Sequence, residues 1–258
     1  IKYLVTLNKP FTLVEGWNTL YIKTACVNEG TVDEPRSSVV SEPYTIRILY
    51  DNKSPEFDDP TYSTINWTKE DVVVEIKAYD VGTGVCVLTS QNEAIEISNY
   101  EDGKFTVTVK ENLREDLVLS DSLGNQTLIP IAVNNIDKSV PSAEAISETY
   151  QSGARTDGKV EITLIDQTDV QTTFALVKNP SAGYKLTEAD YIAFTEAQGV
   201  SVEERDAFDS DGMRVKKYTI YLRGLDGIYG VGIKSTDVVG NTTQMLFTDQ
   251  ALTLKDAE

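Results

Sequence analysis

One phrase occurs twice in this chain. Asp121-Ser122-Leu123-Gly124-Asn125-Gln126-Thr127 returns as Asp237-Val238-Val239-Gly240-Asn241-Thr242-Thr243. Each copy closes one alternating apolar stretch and opens another. A second phrase, Asp51-Asn52-Lys53-Ser54-Pro55, is echoed by Asp137-Lys138-Ser139-Val140-Pro141. Repetition on this scale makes the chain an array of similar units joined by short linkers that stop at proline, and it constrains the fold more than any local pattern does. A length of 258 residues allows roughly one to three domains of about 100–150 residues. The repeats favour the upper end.

Inside the units the period is two. Val72, Val74, Ile76 and Ala78 alternate with Val73, Glu75, Lys77 and Tyr79. Phe105, Val107 and Val109 alternate with Thr106, Thr108 and Lys110. Val160, Ile162 and Leu164 alternate with Glu161 and Thr163, and Tyr218, Ile220 and Leu222 with Thr219 and Tyr221. This alternation is the signature of half-buried strands. Turn clusters lie between them: Asp80 to Gly84, Tyr100 to Gly103, and Asp209 to Gly212. Short strands with Gly and Asp turns at this spacing predict an all-β sandwich or barrel. The inward set is expected to include Val72, Val74, Ile76, Phe105, Val107, Ile162, Leu164, Ile220, Leu222 and Ile233.

The units align by their last strand pair. Thr19 to Thr24 matches Val231 to Ser235, and Leu117 to Ser120 holds the same place between them. Residues 1–49 then carry the closing part of one unit. Residues 50–137 form a complete unit, and 138–258 a longer one with an insertion at 179–214. In that insertion Thr187-Glu188-Ala189-Asp190 reads as a helix start, with Thr187 as N-cap and an acid at N3. Tyr191, Phe194 and Thr195 would share one face, and Gly199 ends the run. This is the one helix expected.

Composition excludes several classes. The net charge is −18, whereas nucleic-acid binding needs clustered Lys and Arg. The acidity suits a soluble, exposed repeat protein, and it also suits cation binding. There is no His, which removes the commonest general base and the commonest transition-metal ligand. Cys26 and Cys86 form no CxxC spacing and are read as unbonded thiols in different units, as would suit a secreted protein from an oxygen-poor habitat. No apolar run approaches the roughly 18 residues of a membrane helix. Ile1 opens inside a strand-like pattern without a signal peptide, so any export signal and anchor are expected outside this segment. Neighbouring acids such as Glu203-Glu204 and Asp58-Asp59 do not define the two-carboxylate geometry of hydrolysis. No nucleophile elbow or phosphate loop is present, and no enzymatic activity is expected.

The order of signals is a Lys-Ser-Pro-type linker, then a strand ending in Asp-x-Gly-x-Gly-Val at Asp80 to Val85. A hairpin follows, closed by Asp-x-x-Gly-Asn-x-Thr. This order resembles the immunoglobulin-like repeats of large bacterial cell-surface proteins, especially of Gram-positive species. The resemblance covers nearly the whole chain, with the insertion at 179–214 as the main departure. It implies tandem immunoglobulin-like β-sandwiches, the third carrying one short inserted helix. It also implies an extracellular location, with attachment to the cell surface through regions outside this fragment. The function it implies is that of a stalk or adhesive module whose partner is a protein or glycan on a host or neighbouring cell. Such repeats also serve as spacer or carbohydrate-binding modules of large secreted carbohydrate-active enzymes, which is the alternative. Neither nucleic acid nor membrane insertion is expected for this segment.

In such a sandwich the first strand starts at the end where the loops after the second and sixth strands lie. Asp137, Asp166 and Asp237 are therefore expected to gather at one end, and so are Asp51, Asp80 and Asp121. These triplets are the candidate metal ligands, because calcium takes several carboxylate and carbonyl oxygens. No other cofactor is expected. The competing reading is turn chemistry: Asp121 and Asp237 accept backbone N–H bonds two residues on, while Gly124 and Gly240 supply the left-handed turn. Cys26, aligned with Asp121 and Asp237, would be a poor calcium ligand and fits the turn reading. Trp17 and Trp67 are expected to pack in cores or between domains rather than to stack sugars. If a specific ligand is bound, the insertion is the expected place, with Tyr184, Tyr191 and Phe194 as contacts. The alternative there is that the helix plugs an open end of the sandwich through Tyr191 and Phe194.

Overall fold

The computed structural model describes residues 10–28 and 37–257. Most of the chain is β-strand, gathered in several antiparallel sheets. The described residues fall into two compact units divided after Asn134, with Asn66–Glu70 belonging to the second.

The first unit opens with β1 (Gly16–Ile22), β2 (Ala25–Asn28), β3 (Ser37–Val40) and β4 (Tyr44–Tyr50). β1 pairs with β4 from Gly16 opposite Tyr50 to Ile22 opposite Tyr44, and β2 pairs with β3. Eight strands follow: β5 (Glu56–Phe57), β6 (Thr61–Tyr62), β7 (Val72–Tyr79), β8 (Val85–Thr89), β9 (Ile95–Ile97), β10 (Lys104–Val109), β11 (Leu113–Asp121) and β12 (Gln126–Val133). One sheet runs β5-β7-β10-β9, with β6 also on β7, and the other runs β12-β11-β8. The period-two pattern decides which face is buried. Val72, Val74 and Ile76 of β7 and Val107 of β10 are fully buried, and so are Leu117 and Leu119 of β11. Each such side chain contributes about 1.5–3 kcal/mol relative to exposure.

The second unit contains β13 (Ser142–Ser152), β14 (Arg155–Asp166), β15 (Val170–Lys178), helix α1 (Glu188–Glu196), β16 (Val200–Phe208), β17 (Arg214–Leu222), β18 (Gly227–Asp237), β19 (Thr242–Leu246) and β20 (Leu252–Leu254). Its sheets run β13-β14-β17-β16 and β15-β18-β19, with β20 also on β18. They share one core. Val160, Ile162 and Leu164 of β14 and Tyr218, Ile220 and Leu222 of β17 pack with Leu176 of β15 and Val231 and Ile233 of β18. The Phe174 and Tyr218 rings meet edge-on at 5.0 Å across the two sheets. All ten residues expected to point inward are buried.

Helix α1 starts where the Thr187-Glu188-Ala189-Asp190 phrase places it. The Asp190 carboxylate reaches back and accepts the Thr187 backbone N–H at 2.7 Å and its hydroxyl at 2.8 Å. Gly199 follows the helix at φ +79°, and a Cβ there would lie 2.1 Å from the Arg223 carbonyl oxygen, so only glycine fits. Thr195, expected to share a face with Tyr191 and Phe194, is exposed, and its hydroxyl bonds back to the Ile192 carbonyl.

The stretch 179–214 is not a free-standing insertion. Its second half, Val200–Phe208, is β16, a scaffold strand paired along its length with β17. The sequence hides it because β16 is an edge strand with mostly exposed, charged side chains. Charge on an edge strand blocks pairing with other chains, and it erases the alternation that marks central strands.

Trp17 lies in β1 and is 60% exposed, with the Arg47 guanidinium 4.5 Å above its ring. Trp67 is 42% exposed. Neither tryptophan belongs to a core. Cys26 lies in β2 and Cys86 in β8. Their side chains, and with them the expected absence of a disulfide, lie outside the described residues.

Candidate functional site

The two repeated phrases form one device in each unit. In the first unit Asn125 Nδ2 donates to the Asp51 carbonyl at 3.3 Å, and the Thr127 hydroxyl donates to the Pro55 carbonyl at 2.6 Å. In the second, Asn241 Nδ2 donates to the Asp137 carbonyl at 3.0 Å, and the Thr243 hydroxyl to the Pro141 carbonyl at 2.5 Å. The Asn and Thr of the hairpin phrase thus hold the backbone of the linker phrase. The hairpin turn itself is set by its Asp. Asp121 Oδ1 accepts the Leu123 and Asn125 N–H groups at 2.8 and 2.9 Å, and Asn125 Nδ2 donates to Oδ2 at 2.6 Å. Asp237 repeats this with Val239 and Asn241 at 2.9, 2.8 and 2.8 Å. Gly124 and Gly240 hold φ of +91° and +90°, the left-handed conformation the turn needs.

Docking the linker on the hairpin brings three carboxylates together in each unit. Asp51, Asp80 and Asp121 each offer an oxygen within 4.8 Å of the others, and so do Asp137, Asp166 and Asp237. Asp51 and Asp137 come from linkers, Asp80 and Asp166 from the ends of β7 and β14, and Asp121 and Asp237 from the ends of β11 and β18.

The third corner differs between the clusters. In the first, the loop after β7 wraps the linker carboxylate. Thr83 donates to Asp51 Oδ2 through its backbone N–H at 2.7 Å and its hydroxyl at 2.9 Å, and the Gly84 N–H donates to Asp80 Oδ2 at 2.7 Å. The loop comes so close that a Cβ on Gly82 would stand 2.2 Å from Asp51 Oδ2. Hydrogen bonds, first that from the Lys53 N–H and then those from Thr83, hold the Asp51 carboxyl below its ordinary value against burial. At Asp121 burial pushes upward, but the bonds from Asn125, Leu123 and Gly124 outweigh it and the net direction is down. Asp80 is half-buried, so solvent reaches it.

In the second cluster Asp137, Asp166 and Asp237 are all buried, at 0%, 3% and 6% exposure. Asp137 Oδ1 accepts the Ser139 N–H and hydroxyl at 3.2 and 2.9 Å. Asp166 Oδ1 accepts the Thr168 N–H at 2.8 Å. The single Thr168 hydroxyl proton is shared between Asp166 Oδ1 at 3.0 Å and Asp137 Oδ2 at 3.3 Å. Asp166 Oδ2 is buried and has no hydrogen-bond partner. Burial first, then the charges of Asp137 and Asp237, push the Asp166 carboxyl up to about 6, in spite of the Thr168 bonds. Gathering of the triplets was legible from strand order. The bare oxygen was not, since burial and donor placement have no sequence signal.

The aromatic candidates of 179–214 separate. Phe194 is not at the surface: it is 9% exposed and packs 5.3 Å from the Phe174 ring within the core of the second unit. Tyr191 is half-buried and its hydroxyl accepts a bond from Gln244 Nε2 at 3.0 Å. Tyr184 is 40% exposed, and its hydroxyl donates to Asp190 at 3.1 Å. Helix α1 thus packs on the second unit through Phe194.

No protein-family model and no curated protein matches this chain. No helix among the described residues is long and apolar enough to cross a membrane.

Proposed function

We propose that this chain is a segment of tandem immunoglobulin-like β-sandwiches from a bacterial surface protein, acting outside the cell as a non-catalytic stalk or adhesive module. The observation that carries the proposal is the strand order, which occurs twice. In the second unit the first, second, fifth and fourth strands form one sheet, and the third, sixth and seventh form the other. In the first unit β7, β10 and β9 with β5 and β6, against β8, β11 and β12, give the same arrangement. This order matches that of an immunoglobulin constant-type sandwich and supports the reading. On this reading β1 and β4 are the closing strand pair of a further domain, giving domains at 1–49, 50–137 and 138–258. Linker phrases held by hairpin phrases favour a mechanical role, because each unit grips the chain segment that enters it.

A glycan array and a panel of immobilised host surface proteins, both probed with this chain, test the proposal. Silence on glycans, or binding to an animal-cell glycan or protein, is the expected result. Selective binding to a plant polysaccharide would replace the proposal with an accessory module of a secreted carbohydrate-active enzyme.

A further inference from the structure

We propose that Asp137, Asp166 and Asp237 form a calcium site, and that the matching cluster of Asp51, Asp80 and Asp121 does not. Three carboxylates of the second cluster offer oxygens within 4.8 Å of one another, and all three residues are buried. Among the described residues no Lys or Arg forms an ion pair with any of them. Carboxylates crowded in this way away from water repel one another unless a cation or a proton joins them.

The independent observation is Asp166 Oδ2, a buried carboxylate oxygen without a donor. Buried polar atoms are nearly always satisfied, and an orphan points to an ion, a water or a catalytic role. Asp166 offers an oxygen within 4.8 Å of two further carboxylates, so an ion of positive charge is the fitting partner. All the carboxylate ligands are hard oxygens, and the Thr168 hydroxyl lies beside Asp166 and Asp137 to add another. Zinc prefers nitrogen and sulfur. Magnesium demands near-ideal octahedral geometry and keeps several waters, whereas calcium accepts irregular sets of carboxylates, carbonyls and hydroxyls. The first cluster lacks the feature that calls for an ion. Thr83 and Lys53 donate to both oxygens of Asp51, and Asp80 is open to solvent.

The test is a calcium titration of the chelator-treated chain by isothermal calorimetry at pH 7.5, with thermal unfolding followed in parallel. One equivalent is expected to bind. At a calcium concentration of about 100 times Kd, the second unit is expected to unfold about 5 °C or more higher. Magnesium at the same concentration, and sodium at the same ionic strength, should do much less. Asp166→Asn should lose that equivalent and the calcium-induced shift. Its unfolding temperature without calcium should equal or exceed that of the wild type, because the amide removes one crowded charge. Asp80→Asn should keep the full effect. If Asp166→Asn does not fold, the wild-type titration still decides. No saturable binding at about 10 mM calcium, above the weak range of extracellular calcium modules, overturns the assignment and leaves a proton as the partner of Asp166. Binding retained in Asp166→Asn, two equivalents per chain, or equal stabilisation by magnesium would overturn it as well.

Discussion

Asp80 follows β7 and Asp166 ends β14, and each completes a triangle with a linker Asp and a hairpin Asp. Asp80 lies half-exposed, in a loop whose Thr83 and Gly84 N–H groups feed the cluster. Asp166 is buried beside a loop that gives it Thr168 alone, and one of its oxygens faces no donor. The difference lies in a few residues after the strand, Val81-Gly82-Thr83-Gly84 against Gln167-Thr168-Asp169. Glycine at 82 lets the backbone close over Asp51. The shorter second loop, without glycine, cannot approach its linker Asp in that way. One turn phrase can therefore serve two purposes, with the loop between β-strands selecting which.

Removing the hairpin carboxylates should separate the clusters most strongly. Asp121→Ala deletes three hydrogen bonds to a charged acceptor and should cost about 3 kcal/mol in urea unfolding. Asp237→Ala deletes the same three bonds, but it also relieves Asp166 of a neighbouring charge. Its cost without calcium should be smaller by about 1 kcal/mol, and in saturating calcium it should become the larger of the two. Equal costs in both conditions would erase the distinction. Gly82→Ala should follow, at about 2 kcal/mol, because its Cβ must displace the Asp51 carboxylate from Thr83. Its effect on the second cluster should be nil, as read by calcium affinity.

The clusters should also respond to pH in opposite directions when calcium is chelated. Asp166 titrates near 6 in the folded chain, above its ordinary value of 3.8. The folded state therefore holds a proton that the unfolded state has lost. Its contribution is fully present below pH 3.8 and is lost as pH rises through 6. Asp51 and Asp121 are held below 3.8. What they contribute is present above pH 3.8 and is lost as pH falls through their lowered folded values. Calorimetric unfolding between pH 3 and 8 would read both trends, and saturating calcium should abolish the loss near pH 6. The smallest effect concerns Lys216, which pairs with Asp169 at 3.1 Å and Glu204 at 3.0 Å near the second cluster's loop. Lys216→Ala should cost about 1 kcal/mol or less, and a larger loss in urea unfolding would mean that this ion pair props the loop.

Much of the architecture was legible because central strands must alternate. Ile162 and Ile220, buried on neighbouring paired strands, show this directly. The α1 start was legible because Thr187 and Asp190 must satisfy end groups that the helix leaves open. β16 was missed for the opposite reason: Glu203, Glu204, Arg205 and Asp206 face solvent at a sheet edge and carry no period. For Phe194 the sequence leaves ligand contact and core packing both open, because a short helix does not reveal which sheet it will lie on, and the structure packs it on Phe174. For the candidate site, repetition pointed to six aspartates that the fold gathers into two clusters. It could not separate Asp80 from Asp166, because burial depends on how neighbouring loops close, and Gly82 acts through a contact 31 positions away in the chain, at Asp51.

The most direct test is a crystal structure of this chain grown with calcium, with data collected for anomalous signal. The cation assignment requires a strong anomalous peak among Asp137, Asp166 and Asp237, bonded to Asp166 Oδ2 at about 2.3–2.6 Å, and none among Asp51, Asp80 and Asp121. A water or nothing beside Asp166 Oδ2, or equal peaks at both clusters, would contradict it.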